Sequence, residues 1–501
     1  MKNWSRRLAG IFGSITILAS LGSTMGAHAS HSYPTALDFT PTPGIACSPD
    51  DKPEATQGRV PYSDFQPRTD GTMRASEGYT CNTTKVGQLG SQDGGTGSSG
   101  GFRVFRYVDG AHHVCAFFDT TLLFPANVYA AASQGSPTGV WVLDMSHPEN
   151  PVHTDSLITP AMLSPHESLS LNQERGLLGA VFANPAFYHG QFDLYDVSQD
   201  CLHPTLRSSL PMGVLGHEGS FAPDGNTYYA SSLYGHTLTA IDTTDPSITK
   251  IVWESASWNV HGMNLSDDGN TLYFADVARN HLDGLEAAGS ADKGLTILDV
   301  HEVQNRVLNP TVTVIKHITW PHVGTPQTAL PIVRVGKNYL VEIDEFRSGG
   351  NVGAGRIIDI DDPTDPQVVS NLRLAVNNLA NQQTTDQGKD PNANNSLAGY
   401  TGHYCAVPQK LEPKIVACSF ILSGLRVFDI SDLTHPKEIA YFNMPATVDK
   451  PAANNPPYGK QGSYAMSQPA FDVAARQIWY SDGNSGFYAV HIKDGVGPAT
   501  W

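Results

Sequence analysis

The chain has 501 residues, 31 Lys and Arg against 48 Asp and Glu, and a formal charge of −17. So acidic a chain, with few basic clusters, excludes nucleic acid and anionic membrane surfaces as partners, because neither gains from counterion release. Its length exceeds the roughly 250–300 residues that one hydrophobic core supports, so several domains or a repeat architecture is required.

Residues 1–29 have the layout of a signal peptide. "MKNWSRR" is a positive n-region, Leu8–Gly22 is an apolar stretch interrupted by Gly and Ser, and Ala27-His28-Ala29 is a small-x-small cleavage site. A membrane anchor is the competing reading, but no later run reaches the roughly 18 apolar residues of a span. The expected location is secreted or periplasmic, with a mature chain starting near Ser30. Loss of Lys2, Arg6 and Arg7 moves its charge to −20. Six cysteines in an exported chain suit disulfides better than metal. Cys405 and Cys418 flank the turn "QKLEPK" and face each other across a hairpin. Cys47 and Cys81 both fall in the irregular N-terminal region and are candidates to pair, which leaves Cys115 and Cys201 by elimination; only the Cys405–Cys418 bridge is fixed by its hairpin. Residues 30–101 read as a loop-rich extension ending in the flexible linker "SQDGGTGSSGG", Ser91–Gly101.

From Phe102 the chain repeats one phrase: "VWVLDMSHPENP", "FDLYDVSQDCLHP", "LTAIDTTDPS", "LTILDVHEVQN", "RIIDIDDPTDP", "LRVFDISDLTHP" and "FYAVHIKD". Six copies end an alternating strand on an acid, Asp144, Asp196, Asp242, Asp299, Asp359 and Asp429, at intervals of 46 to 70 residues. The Asp accepts backbone N–H bonds one or two residues on, and the Pro that often follows presets the bend. Before each copy lies a hairpin such as "GSFAPDGNTYYASS", with its Asp224-Gly225 turn, and after it a further strand such as "KIVWES". Four strands in each of seven units predict an all-β, seven-bladed β-propeller over 102–501. Blades stacked in a ring bury the faces and edges that one blade leaves open. An Asn-rich insertion at about 376–399 is either a loop covering a site or a solvated excursion.

The repeat resembles the LVIVD-repeat propellers, exported bacterial proteins named after strands such as "LTILD" and "LRVFD". The resemblance covers roughly Phe102 to Ile492 and is most specific at "DISDLTHP" from Asp429. "LYDVSQDCLHP" and "AIDTTDPS" depart from the pattern. It implies the fold and carries no catalytic residue onto this chain.

Seven positions before the hairpin turn, successive blades present Phe102, His166, His217, His261, Ala329, His403 and Gln468. This position starts the innermost strand, so equivalent residues face one another across the central channel. Neutral imidazole is a ligand for zinc, copper and iron. Glu167 and Glu218 follow two of the histidines. Strand alternation turns them away from the ion, where they accept the second ring N–H of a neighbouring blade's histidine. The arrangement is similar to the four-His iron site of carotenoid oxygenases and to the copper site attributed to methanethiol-oxidase-type propellers, a likeness of architecture only. The reading is a metal-dependent oxidase or oxygenase acting on a small organic or sulfur compound in the channel. His166, His217, His261 and His403 hold copper or iron, with zinc as the further option, and Glu167 and Glu218 give catalytic support.

Alternatives stay open. The histidines fit a polar small-molecule site without metal, or a structural residue copied by duplication. The whole chain fits a non-catalytic propeller that binds a protein, glycan or envelope component. Glu342, Asp344 and Glu345 in "YLVEIDEF" read as an acidic strand end, or as a cation or acid/base group. His322 in "WPHVGTP" lies within reach of the channel mouth or in solvent. His112, His113, His147 and His435 belong to the surface and to turns.

Overall fold

A computed structural model describes residues 40–90, 100–120, 139–183, 190–212, 216–232, 236–277, 293–320, 323–348, 351–382, 399–448 and 461–501. All fall in one unit, Pro34–Trp501. The signal peptide, most of the Gly/Ser linker, His322 and residues 383–398 of the Asn-rich insertion lie outside the described residues.

Seven antiparallel sheets of at least four strands succeed one another along the chain, which makes the protein a seven-bladed β-propeller. Blade one shows the plan, running outward through Val104–Val108, Val114–Asp119, Val140–Asp144 and Val152–Leu157. The innermost strands of the other blades are Ser170–Asn172, Gly219–Phe221, Val260–Leu265, Thr325–Arg334, Gly402–Ala406 and Ala470–Asp472. Third strands such as Gly294–Asp299 are buried to their last residue, because neighbouring blades cover both faces. Outermost strands such as Thr313–Ile318 are exposed or half-buried along their whole length.

The repeated Asp does what its position suggests. In the six copies its carboxylate accepts the backbone N–H two residues on, from Ser146, Ser198, Thr244, His301, Asp361 and Ser431, at 2.8–3.0 Å. A register shift between third and outermost strands recurs in every blade. Such bulges twist an exposed edge away from stray pairing.

Ring closure falls to the N-terminal segment. Thr83–Leu89 is the outermost strand of blade seven, paired with Gly486–Ile492, and Tyr79–Cys81 adds a fifth strand to blade six. Sequence reading placed no strand here, because "TTKVGQL" is short and mostly polar and carries none of the repeat's apolar alternation. A buried cation fixes the segment. The Arg426 guanidinium holds Glu54 at 2.5 Å and Glu438 at 3.1 Å, 4.5 Å above the Tyr441 ring.

The cysteines pair as expected: Cys47–Cys81, Cys115–Cys201 and Cys405–Cys418. Among the described residues no helix is long and apolar enough to cross a membrane.

Two stability measurements follow. A chain beginning after Leu89 leaves the third strand of blade seven as an open edge. It should aggregate, or melt well below the full mature chain in differential scanning fluorimetry; an unchanged melting curve would contradict the closure. The Cys115–Cys201 bridge spans 86 residues and Cys405–Cys418 spans 13. In the chain-entropy model their removal costs about 4.5 and about 3 kcal/mol. Replacing the first pair by Ser should therefore lower the urea midpoint more than replacing the second.

Candidate metal centre

The start of each innermost strand is irregular, and this aims the side chains. Ser231 of blade three pairs with two residues at once: His217 N–H donates to its carbonyl at 2.7 Å, and its own N–H donates to the Glu218 carbonyl at 2.8 Å. Blade four has a register shift between Val260 and Met263, blade five between Pro326 and Thr328, and blade six between Gly402 and Tyr404. Each inserts one extra residue where a histidine or its counterpart stands, and a bulge of this kind breaks strict alternation. In blade two, His166 reaches the same end with a left-handed backbone, φ 50°. Gly262 is required by the close approach of blade five, since a Cβ there would lie 2.1 Å from the Gln327 carbonyl oxygen.

The four histidines converge. Ring centroids of His166 and His217, and of His217 and His261, lie 4.6 Å apart, and the Nε2 atoms of His217 and His261 are 3.2 Å apart. Phe102, the blade-one counterpart, packs edge-on to His166 at 4.4 Å and lies 5.6 Å from His403. His403 donates from Nδ1 to the Met466 carbonyl at 2.6 Å, which turns Nε2 toward the cluster.

At the centre stands Glu167, and this differs from the expectation that it points away. The left-handed turn at His166 brings the next side chain onto the channel face. Its Oε2 lies 3.1 Å from His217 Nε2, 3.7 Å from His261 Nε2 and 3.8 Å from His166 Nε2. Its Oε1 lies 3.1 Å from His403 Nε2 and accepts a 2.8 Å bond from Gln327 Nε2. Gln327 thus fills blade five's place, two residues before the Ala329 that counting from the turn gives, because blade five's inner hairpin stays paired as far as Arg334 and Lys337 and its turn comes later along the strand than in blades three and four.

Glu345, at the end of blade five's second strand Lys337–Glu345, is the second carboxylate. Its oxygens lie 3.0 Å from His261 Nε2 and 3.3 Å from His403 Nε2. Its neighbours Glu342 and Asp344 take no part in the cluster. Both pair with Arg356, which lies 4.2 Å over the Trp320 ring. Strand alternation separates the three acids: Glu342 and Asp344 share one face and Glu345 takes the other.

Glu218 does not orient a histidine. It pairs with the Arg103 guanidinium and accepts the Tyr404 hydroxyl at 2.9 Å, while Arg103 donates to Gln468 at 2.7 Å and lies 4.4 Å from the Tyr404 ring centroid. These four residues form a second polar layer of the channel, in which Glu218 and Gln468 are legible from the sequence and Arg103 and Tyr404 are not.

Electrostatics divides the imidazoles. Burial pulls His166 down to about 3 and also lowers His217. Burial opposes charge on His261 and His403 as well, but Glu167 and Glu345 hold both up at about 9. Burial would raise the Glu167 carboxyl, yet the surrounding imidazoles hold it well below the usual range. The two carboxylates thus favour charge on His261 and His403, while burial keeps it off His166 and His217. Polar atoms are left over even so: among the described residues Glu167 Oε2 and His403 Nε2 are buried with no neighbour in hydrogen-bonding direction. Imidazole nitrogens and carboxylate oxygens converging on unpartnered atoms are a donor set that fits a divalent transition metal.

No family model matches the chain, and no curated protein matches it. Solved structures similar to it include a protein from Lactobacillus plantarum, at 11% identity and TM-score 0.46, covering 77% of this chain and 96% of that one. The periplasmic gluconolactonase of Pseudomonas aeruginosa is 11% identical, with TM-score 0.40 and coverage of 82% and 97%. Hydrazine synthase of Kuenenia stuttgartiensis is 12% identical, with TM-score 0.43 and coverage of 80% and 97%. At such identities the likeness concerns the fold alone.

The second layer yields a direct test. Removing one partner of a buried ion pair costs about 3–5 kcal/mol, whereas replacing both by apolar groups is often neutral. Arg103→Met should lower unfolding free energy in urea by that amount, and Arg103→Met/Glu218→Leu should recover most of it. Equal losses in the single and double variants would contradict the pairing.

Proposed function

We propose that this propeller is an exported, metal-dependent oxidase or oxygenase acting on a small organic or sulfur compound in its channel. The observation that carries the reading is the convergence of four imidazoles on a buried carboxylate, one oxygen of which lacks a hydrogen-bond partner. His166, His217, His261 and His403 would hold the metal, with Glu167 and Glu345 as carboxylate donors. Iron suits this mixed nitrogen and oxygen set better than copper, and zinc is the redox-inert alternative. A bound redox metal would supply one-electron chemistry and a Lewis acid.

The chain's own residues supply the rest. Among the four histidines, the His166 side chain is the most accessible, at 13% exposure against 0–8% for the others, so substrate would approach from its side. Phe102 gives that approach an apolar wall against His166. Gln327 fixes the Glu167 carboxylate from the blade-five side. Arg103, Glu218 and Tyr404 position the innermost strands of three blades around the same axis. Three disulfides fit an oxidising compartment, secreted or periplasmic. The repeat phrase and Asx turns support placement among the LVIVD-repeat propellers.

Purified, unchelated mature protein should contain near-stoichiometric iron, copper or zinc by elemental analysis. Loaded anaerobically with Fe²⁺ and then exposed to air, it should consume oxygen faster than free Fe²⁺ at equal concentration. His217→Ala/His261→Ala should lose both properties. Metal-free protein that also fails to take up Fe²⁺ would favour a non-catalytic binding propeller. Bound metal without oxygen uptake would favour Lewis-acid chemistry.

A further inference from the structure

We infer that the channel cluster is a two-ion centre bridged by the Glu167 carboxylate. This rests on the metal reading above and extends it in the number of ions and in their ligands. The two oxygens of Glu167 face different partners. Oε2 looks toward the Nε2 atoms of His217, His261 and His166, while Oε1 looks toward His403 and Gln327. Two ligand triads result, His166–Glu167–His217 and Glu167–Glu345–His403, and within each triad all donor atoms lie within 4.8 Å of one another. They share only Glu167.

The spacings suit one ion in each triad. With metal–ligand bonds of about 2.0–2.1 Å, neighbouring donors are ~3.3 Å apart on a tetrahedral ion and ~3.0 Å apart on an octahedral one. The first half has Glu167 Oε2 3.1 Å from His217 Nε2 and 3.8 Å from His166 Nε2, with His261 Nε2 3.2 Å from His217. The second half has His403 Nε2 to Glu167 Oε1 at 3.1 Å and to Glu345 Oε2 at 3.3 Å. Glu345 repeats the bridging pattern, with Oε1 3.0 Å from His261 and Oε2 turned to His403. A single ion serving both triads would have to take Glu167 through both oxygens, although these face different imidazoles.

Each half also holds its own unpartnered buried atom. Glu167 Oε2 in the first and His403 Nε2 in the second have no hydrogen-bond partner among the described residues. The nearby guanidinium groups do not supply the charge. Arg103 is paired with Glu218, and Arg356 with Glu342 and Asp344, so both guanidinium groups are engaged with acids outside the cluster. Imidazole with bridging carboxylate selects divalent first-row ions such as iron, manganese, cobalt or zinc.

Mature protein stripped by chelator and titrated with Mn²⁺ alone tests this. After gel filtration, elemental analysis should find two Mn²⁺ per chain. Electron paramagnetic resonance should show a spin-coupled pair in place of the six-line signal of isolated Mn²⁺. Glu345→Gln should retain one ion with an uncoupled six-line signal. One ion per chain in the unsubstituted protein would overturn the two-ion centre and leave the metal reading standing, whereas none would overturn both. Two uncoupled ions would also overturn it, placing the second elsewhere, for example at the half-exposed Asp109, His113 and Asp200 group. A coupled pair persisting in Glu345→Gln would remove Glu345 from the ligand set.

Discussion

A carboxylate taken out of water costs several kcal/mol unless other charges and hydrogen bonds replace its hydration. Glu167 is buried on the propeller axis, and the architecture around it answers that cost. Blades two, three, four and six each turn an imidazole toward it, and blade five supplies an amide from Gln327. A second acid, Glu345, is drawn into the same space and shares two of those histidines. Only a closed ring brings residues so distant in sequence to one point. Closure in turn depends on Thr83–Leu89 completing blade seven and on Arg426 anchoring the segment that leads to it.

The fold was legible because it is periodic. The Asp that ends the third strand in six blades, the hairpin turn before it and the short strand after it recur often enough to count blades from sequence alone. Ring closure was not legible. The closing strand stands outside the repeat, faces solvent and has a loop's composition. Pairing of the cysteines followed from hairpin geometry in one case and from the small number of choices left in the others.

The site was legible in part, for a physical reason. Counting from the turn located His166, His217, His261 and His403, since the turn and the inner strand share one register in those blades. It failed in blade five, where the inner hairpin stays paired as far as Arg334 and Lys337 and Gln327 rather than Ala329 stands opposite the cluster. It also misdirected Glu167, because alternation presumes a regular strand and His166 has φ 50°. A non-glycine residue with positive φ leaves no mark in the sequence. Glu345 belongs to a second strand, and nothing in "YLVEIDEF" separates it from Glu342 and Asp344 except strand parity. Arg103 and Tyr404 came from outside the repeated phrase.

Besides the bulges at the outer edge of every blade, a second set and the left-handed His166 stand at the start of the innermost strands, where irregular backbone re-aims side chains toward one another. The same end carries the connections between second and third strands, which are long in sequence between Asp119 and Val140 and between Asp276 and Gly294 and short between Phe420 and Gly424. Regular blades supply rigidity, and their irregular inner ends supply chemistry. The most direct test is a crystal of the native protein measured at the absorption edge of the metal it contains. The account places an anomalous peak about 2 Å from Glu167 Oε2 and His217 Nε2. A channel without such a peak, or metal found only at the surface, would contradict it.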